Sequence, residues 1–385
     1  MKKHLLSLYI VAVAAPVVAQ LPVSTAQENR KVLVEEFTGI TCQYCPDGHK
    51  KADQLISANP TSNFVINVHT GGYANPASGA PDFRTAFGSA LASQSGLVGY
   101  PAGTVNRHLF SALSQNTTTP GTAMSRGAWA NAAGQIESMP SILNVALQGT
   151  IDATTRKLTV DVEVYYTGTS TVSTNYFNLA LIQDSILGPQ TGATTWYPQM
   201  MVGSQYQHNK MLRHLLTGQW GDPINTTTAG SMIAKQYTYT IPAQLPLTVT
   251  NGAIKTDVLL SKLKIIGFVT ETQQEVLSAN KGPITIVSSS PTGIEKYDAK
   301  DEYSATLFPN PTADKSTLAL LLSKNGNVSV KVYNLLGSQV YSYQNDLEKG
   351  MHAINIDCRN YESGVYFVQI TIDGKVRTEK LVISR

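Results

Sequence analysis

The feature that most constrains this chain is an apolar stretch running straight into a pair of cysteines. Residues 31 to 48 read Lys-Val-Leu-Val-Glu-Glu-Phe-Thr-Gly-Ile-Thr-Cys-Gln-Tyr-Cys-Pro-Asp-Gly. Val32, Leu33, Val34 and Phe37 supply the bulk of a buried strand, and Ala52, Leu55 and Ile56 provide the inward face of a helix behind it. A loop as short as that between Cys42 and Cys45 constrains little of the unfolded chain, so redox chemistry or metal binding explains the pair better than stapling does. The helix is expected to begin near Cys42, where unpaired N–H groups and the positive dipole end favour a thiolate and lower a free-cysteine pKa of about 8.5. In that arrangement Cys42 is the exposed nucleophile and Cys45 the resolving partner. Pro46 is compatible with a first helical turn, whose N–H groups have no partner to lose.

The length of 385 residues points to two or three domains at roughly 100 to 200 residues each. Charged residues are 14% and apolar residues 42%, with abundant Thr, Ser, Asn, Gly and Tyr, a usage typical of β-rich extracellular proteins. A net charge of +3 is too small to argue for nucleic acid or a membrane surface as partner. Lys2, Lys3 and His4 precede an apolar run from Leu5 to Val18, which reads as a signal peptide over 1–19, cleaved after Ala19. That run is shorter than the roughly 20 residues needed to span a bilayer, so no transmembrane segment is expected in the mature chain. No cysteine follows the cleavage site to carry a lipid anchor. Cys358 stands alone in a β pattern and reads as a buried small hydrophobe.

Beyond the first helix, Phe64 to His69 forms a second strand pattern, and Phe83, Phe87 and Leu91 recur every fourth residue as one face of a helix ending before Gly96. The segment Leu97-Val98-Gly99-Tyr100-Pro101-Ala102-Gly103-Thr104-Val105 follows, and Ala123 to Ser138 reads as a closing helix around Trp129 and Ile136. From residue 31 to about 107 the chain resembles thioredoxin. The resemblance implies an α/β thioredoxin-like domain over 20–140, with Pro101 as the cis-proline lying against the redox pair and Glu36 as the buried carboxylate serving the resolving cysteine. Gln43-Tyr44 replaces the Gly-Pro dipeptide of reducing thioredoxins, and Thr41 replaces the usual aromatic residue. Direction of redox flow therefore does not carry over. A zinc site from Cys42, Cys45 and His49 or His69 is the weaker reading, since structural zinc takes four such ligands and no second C-x-x-C exists. His49 reads as a surface residue.

Residues 141–287 alternate apolar and polar residues, with hairpin signals at 143–166 and strand patterns at 177–184, 233–241 and 263–270, which predict an antiparallel β-sandwich-like domain. Within it stand His208-Asn209-Lys210-Met211-Leu212-Arg213 and Gly218-Gln219-Trp220-Gly221. With the Cys-x-x-Cys-Pro site, these make residues 30 to 285 similar to the twenty-eight-kilodalton outer-membrane protein family of Bacteroidota. The resemblance implies a surface-exposed, adhesive or receptor-like protein with no settled enzymatic role. His208, Arg213 and Trp220 are the candidate ligand cluster; the competing reading makes them a domain contact or a satisfied core cluster.

Ser288-Ser289-Ser290-Pro291-Thr292-Gly293 opens a linker over 288–302. The strand-rich run 303–385 contains Phe308-Pro309-Asn310-Pro311, Val332-Tyr333-Asn334-Leu335-Leu336-Gly337, Gly364-Val365-Tyr366-Phe367 and Lys380-Leu381-Val382, with Asp373-Gly374 as a tight hairpin turn. This resembles the type A C-terminal sorting domain of the type IX secretion system, which implies a small immunoglobulin-like β-sandwich and the secretion machinery as partner. Cell-surface or outer-membrane location follows from that resemblance. Two functions remain open: thiol-disulfide exchange through Cys42, Cys45, Glu36 and Pro101 on protein thiols, or a non-catalytic adhesin or ligand-binding protein with a structural disulfide. Neither calls for a cofactor. No peptidase or glycosidase motif is present.

Overall fold

The computed structural model describes residues 21, 23–287, 303–335 and 337–385. The expected signal peptide (1–19) and linker (288–302) lie outside the described residues. The chain divides into two compact units, with the boundary between Ser288 and Ser289. It is mostly β, with few and short helices.

The first unit opens with β1 (Val32–Thr38), α1 (Cys45–Ala58), β2 (Asn63–His69), α2 (Gly88–Ser95), β3 (Ala102–Val105), β4 (Met124–Ser125) and α3 (Trp129–Glu137). Next come β5 (Leu143–Asp152), β6 (Lys157–Tyr166), β7 (Asn175–Gln183), β8 (Ile186–Gly188), α4 (Ala193–Trp196), β9 (Met201–Val202), β10 (Gln205–His208) and β11 (Met211–Leu215). Then follow β12 (Asp222–Ile224), β13 (Met232–Thr240), β14 (Gln244–Leu245), β15 (Thr256–Asp257), β16 (Leu263–Glu271), β17 (Glu275–Gly282) and β18 (Ile284–Val287). The central sheet has nine strands in the order β17-β16-β7-β11-β2-β1-β3-β4, with β12 added against β7. β1 runs parallel to β2 and antiparallel to β3.

Side-chain alternation along these strands builds three apolar layers. Val32, Val34 and Val65 pack with Ala52 and Leu55 of α1 and with Trp129, Ala132 and Ile136 of α3. On the opposite face Leu33, Phe37, Phe64 and Ile66 join Leu91 of α2 and Ile182, Ile266 and Phe268 of the later strands. β1 and β2 are thus covered on both faces and read as continuous apolar runs. Phe177, Leu179 and Leu181 point the other way, against the four-stranded sheet β13-β6-β5-β18.

The stretches expected on either side of residue 140 share one compact unit: β2 pairs with β11, and the sandwich forms between the four-stranded sheet and the far half of the same central sheet. Two helices also differ from expectation. α1 begins at Cys45 and leaves Cys42 in the preceding turn, with Tyr44 as N-cap. α2 spans only Gly88–Ser95, capped by left-handed Gly96, and Phe83 instead packs beside Ile40, Ile186 and Met211. The spacing of four was real, but the chain between Phe83 and Phe87 follows a loop held by Arg84 and Asp82.

In the second unit β19 (Tyr303–Phe308), β20 (Lys315–Leu322) and β23 (Gly350–Asp357) form one sheet, and β21 (Gly326–Tyr333), β22 (Gln339–Leu347), β24 (Gly364–Ile372) and β25 (Lys375–Ile383) the other. Leu318, Leu320, Val328, Val330, Val368 and Ile370 alternate into the core between them, with Cys358 buried there. The end motifs meet. Asn310 donates from Nδ2 to the Lys380 carbonyl (2.6 Å) and accepts from the Val382 N–H (2.8 Å), while the Thr312 N–H donates to the Val382 carbonyl (3.0 Å).

One ion pair inside the first unit has a measurable consequence. Glu35 receives Nε and Nη2 of Arg107 at 2.7 Å each, both side chains almost fully buried, and Arg107 also lies over Phe268. Arg107→Met is expected to cost about 3–5 kcal/mol by stranding the Glu35 charge, whereas Arg107→Met with Glu35→Leu should come close to neutral. Chemical denaturation of the two variants checks this.

Candidate functional site

The turn before α1 carries a Cys42–Cys45 disulfide, with a Cα–Cα distance of 5.4 Å. Cys45 is the first residue of the helix and wholly buried; Cys42, expected to be exposed, is only 2% accessible. Its cover comes from the segment between β8 and β9. Gln190 donates from Nε2 to the carbonyls of Gly39 and Cys42 (3.1 Å each), and the Thr191 N–H donates to the Ile40 carbonyl (2.9 Å). Gly192 sits at φ +76°, and a Cβ there would fall 2.0 Å from the Gln43 carbonyl oxygen, so only glycine allows this approach. Trp196 of α4 completes the strap with its ring edge-on to Tyr44.

Beneath α1 the alternation that turns Val32 and Val34 toward the helix also turns Glu36 there. The fit is close: a Cβ on Gly48 would stand 2.4 Å from Glu36 Oε1 and 3.0 Å from Pro101 Cβ. The Tyr100–Pro101 peptide is cis. Glu36 is fully buried, and among the described residues neither of its carboxyl oxygens has a hydrogen-bond partner. Burial holds its pKa well above the usual carboxylate range, with Lys210 pulling the other way.

His49 is not on the surface. One turn into α1, it is 4% exposed, shares a hydrogen bond of 2.9 Å with the Thr38 hydroxyl through Nε2 and one of 3.0 Å with Tyr206 through Nδ1, and stands 4.0 Å from Glu36. Sequence reading missed it because the residues covering it, Tyr206 and His208, come from β10. His208 lies edge-on to His69, with ring centres 5.4 Å apart. Burial lowers the pKa of all three imidazoles, that of His208 to about 3. Asp53, on the same helix, accepts from Lys210 Nζ and from the Tyr197 hydroxyl (3.0 Å).

The three residues read as one ligand cluster stand in different surroundings. His208 belongs to the histidine group and faces the Pro189 carbonyl at 3.3 Å. Arg213, on β11, donates to Thr256 Oγ1 at 2.9 Å. Trp220 packs on the apolar layer around Leu212 and Phe268. Among the described residues no group of three or more His, Cys, Asp or Glu side chains is arranged to hold a metal ion. No described helix is long and apolar enough to cross a membrane.

The second unit matches the model of the secretion system C-terminal sorting domain over residues 306–384. This defines the class: a protein sorted by the type IX secretion machinery, secreted and then associated with the cell surface or outer membrane. Residues 88–282, more than half of the chain, match the model of outer membrane protein Omp28, and the chain belongs to that family. Among solved structures it is similar to HBP35 of Porphyromonas gingivalis, at 16% identity over 93% of this chain and 99% of that one, with a TM-score of 0.49. A domain of the outer membrane lipoprotein Omp28 from Porphyromonas gingivalis covers 38% of this chain and 92% of its own, at 17% identity and a TM-score of 0.25. A protein from Agrobacterium tumefaciens aligns at 11% identity over 71% of this chain and 100% of its own, with a TM-score of 0.37. No curated protein sequence matches.

The buried titratable groups act in opposite pH windows. A carboxyl whose folded pKa is raised costs stability as pH rises above the unfolded value of about 4.3, so Glu36→Gln is expected to stabilise the protein at neutral pH and to do nothing below about pH 4. Imidazoles with depressed pKa contribute stability that is lost as pH falls below about 6.5. Urea midpoints of Glu36→Gln should therefore drop from pH 6.5 downward, and measurement from pH 4 to 8 checks both signs.

Proposed function

We propose that the first unit carries a thioredoxin-like redox site and that the protein is a cell-surface thiol–disulfide exchange protein whose pair is covered by the Gln190–Trp196 strap. The observation that carries this is Glu36. An unpartnered carboxyl buried under the first turn of α1 is costly and adds nothing to a structural bridge, whereas a redox pair needs a proton donor and acceptor behind its buried sulfur. In the exchange step a substrate thiolate attacks Cys42 Sγ, the Cys42–Cys45 bond breaks, and Cys45 leaves as a thiolate that takes the Glu36 proton. A second substrate thiolate then attacks the substrate sulfur of the mixed disulfide. Cys42 is released reduced, and the substrate leaves as its disulfide. Pro101, against the same turn, shapes the groove for the substrate chain.

A second reading rests on the burial of Cys42. A disulfide closed off from solvent does not exchange, and the chain is then a non-catalytic ligand-binding or adhesive surface protein with a structural bridge. Equilibration of the protein with glutathione buffers, read by thiol-labelling mass spectrometry, separates the two. A potential within roughly −270 to −120 mV, with Cys42 labelled first, supports exchange; one below about −300 mV supports the structural bridge. Under the exchange reading Glu36→Gln slows the reaction about a hundredfold at neutral pH without altering the disulfide. Trp196→Ala, which removes the contact on Tyr44, speeds labelling of Cys42, and an unchanged rate excludes the strap as a gate.

A further inference from the structure

A cavity of about 830 Å³ opens in the first unit between β11, the loop before α2 and the chain after β14. Its walls are mainly apolar and aromatic, formed by Phe87, Leu212, Tyr239 and Leu245, and it lies within the roughly 300–1,000 Å³ range of small-molecule sites. Tyr239 is held in place by His214, stacked on it with ring centres 4.3 Å apart and planes 12° from parallel.

Charge in the wall is unbalanced. Arg84 is spent on Asp82, which accepts from its Nε (2.9 Å) and Nη2 (2.7 Å), so that pair is neutral. Arg213 has no such partner: among the described residues no carboxylate pairs with it. It is 5% exposed and donates only to Thr256 and, at 3.6 Å, to Met211 Sδ; its Nε is buried without an acceptor. Desolvation lowers its pKa to about 10, which still leaves it charged at neutral pH. His69, also in the wall, packs its ring against Phe83 and His208 and keeps both nitrogens buried away from the cavity surface. An uncompensated buried cation is strongly unfavourable, so this wall is incomplete without an anion.

We propose that this cavity binds a small monocarboxylic acid with an apolar or aromatic body, its carboxylate received by Arg213 and its body held among Phe87, Tyr239 and Leu245. The single uncompensated charge sets the ligand charge. A phosphate monoester, carrying roughly −1.5 to −2, would exceed it. The site is separate from the disulfide and does not depend on the redox reading.

The test is calorimetric titration and thermal unfolding of the full mature protein with octanoate and indole-3-acetate, against octanamide, indole-3-acetamide and phenyl phosphate. At least one carboxylate is expected to bind and raise the melting temperature, while the amides and phenyl phosphate do neither. Arg213→Met is expected to weaken carboxylate binding about tenfold or more, the loss of a charged hydrogen bond, and to raise the melting temperature of the ligand-free protein. Tyr239→Ala should weaken binding of indole-3-acetate without altering the anion preference. Failure of both carboxylates to bind below about 1 mM overturns the proposal. So does unchanged binding in Arg213→Met, equal binding of phenyl phosphate, or an Arg213→Met protein that is less stable or unfolded, which would mark Arg213 as structural.

Discussion

The junction between β2 and β11 is the interaction on which the candidate site depends. Asn67 accomplishes it almost alone: its N–H donates to the Lys210 carbonyl (2.8 Å) and its Nδ2 to the Asn209 carbonyl (2.9 Å), beside the single register pair Met211–Asn67. Through this seam a segment far along the chain becomes the next strand of the sheet begun by β1 and β2. It brings β10 and its following turn to α1, so that Tyr206 reaches His49, His208 faces His69, and Lys210 meets Asp53. Long-range pairing of this kind must overcome loop-closure entropy before it returns any contact, and the large apolar layers on both faces of the sheet offset that cost.

The interior built around the seam is polar in an unusual place. Glu36, His49, His69 and His208 lie where a thermally optimised core would hold aliphatic residues, and several of their polar atoms have no partner. Such groups lower stability wherever they stay unsatisfied in a low-dielectric interior. The segment from Gln190 to Trp196 lies against the turn that carries the disulfide, held by a few backbone acceptors, one close glycine contact and one ring edge. Arg213 stands in the neighbouring cavity wall, where among the described residues a cation rather than a carboxyl is left without a counter-charge.

Much was legible in local pattern. The strand before the cysteines, the alternating strands after residue 143 and the left-handed Asp373-Gly374 turn follow from periodicity and turn chemistry, which act over a few residues. The sorting motifs were readable as words, and the structure supplies their grammar: Asn310 pairs with the backbone of Lys380 and Val382. Residues whose role depends on distant cover were misread. His49 carries a polar side chain at a helical position that looks exposed until Tyr206 arrives, and Phe83 fits a helical spacing that its loop does not obey.

By itself the sequence determined the elements and the address: apolar strands bounded by turns, a cysteine pair at a helix start, and a C-terminal unit whose motifs mark it for export. The tertiary structure decided what surrounds the cysteine pair. Whether Cys42 meets solvent, whether Glu36 keeps its proton and whether Arg213 finds an anion are set by contacts between segments more than a hundred residues apart in most cases. The physical reason is that burial and electrostatic balance are properties of the packed interior, to which local propensity and spacing contribute no term.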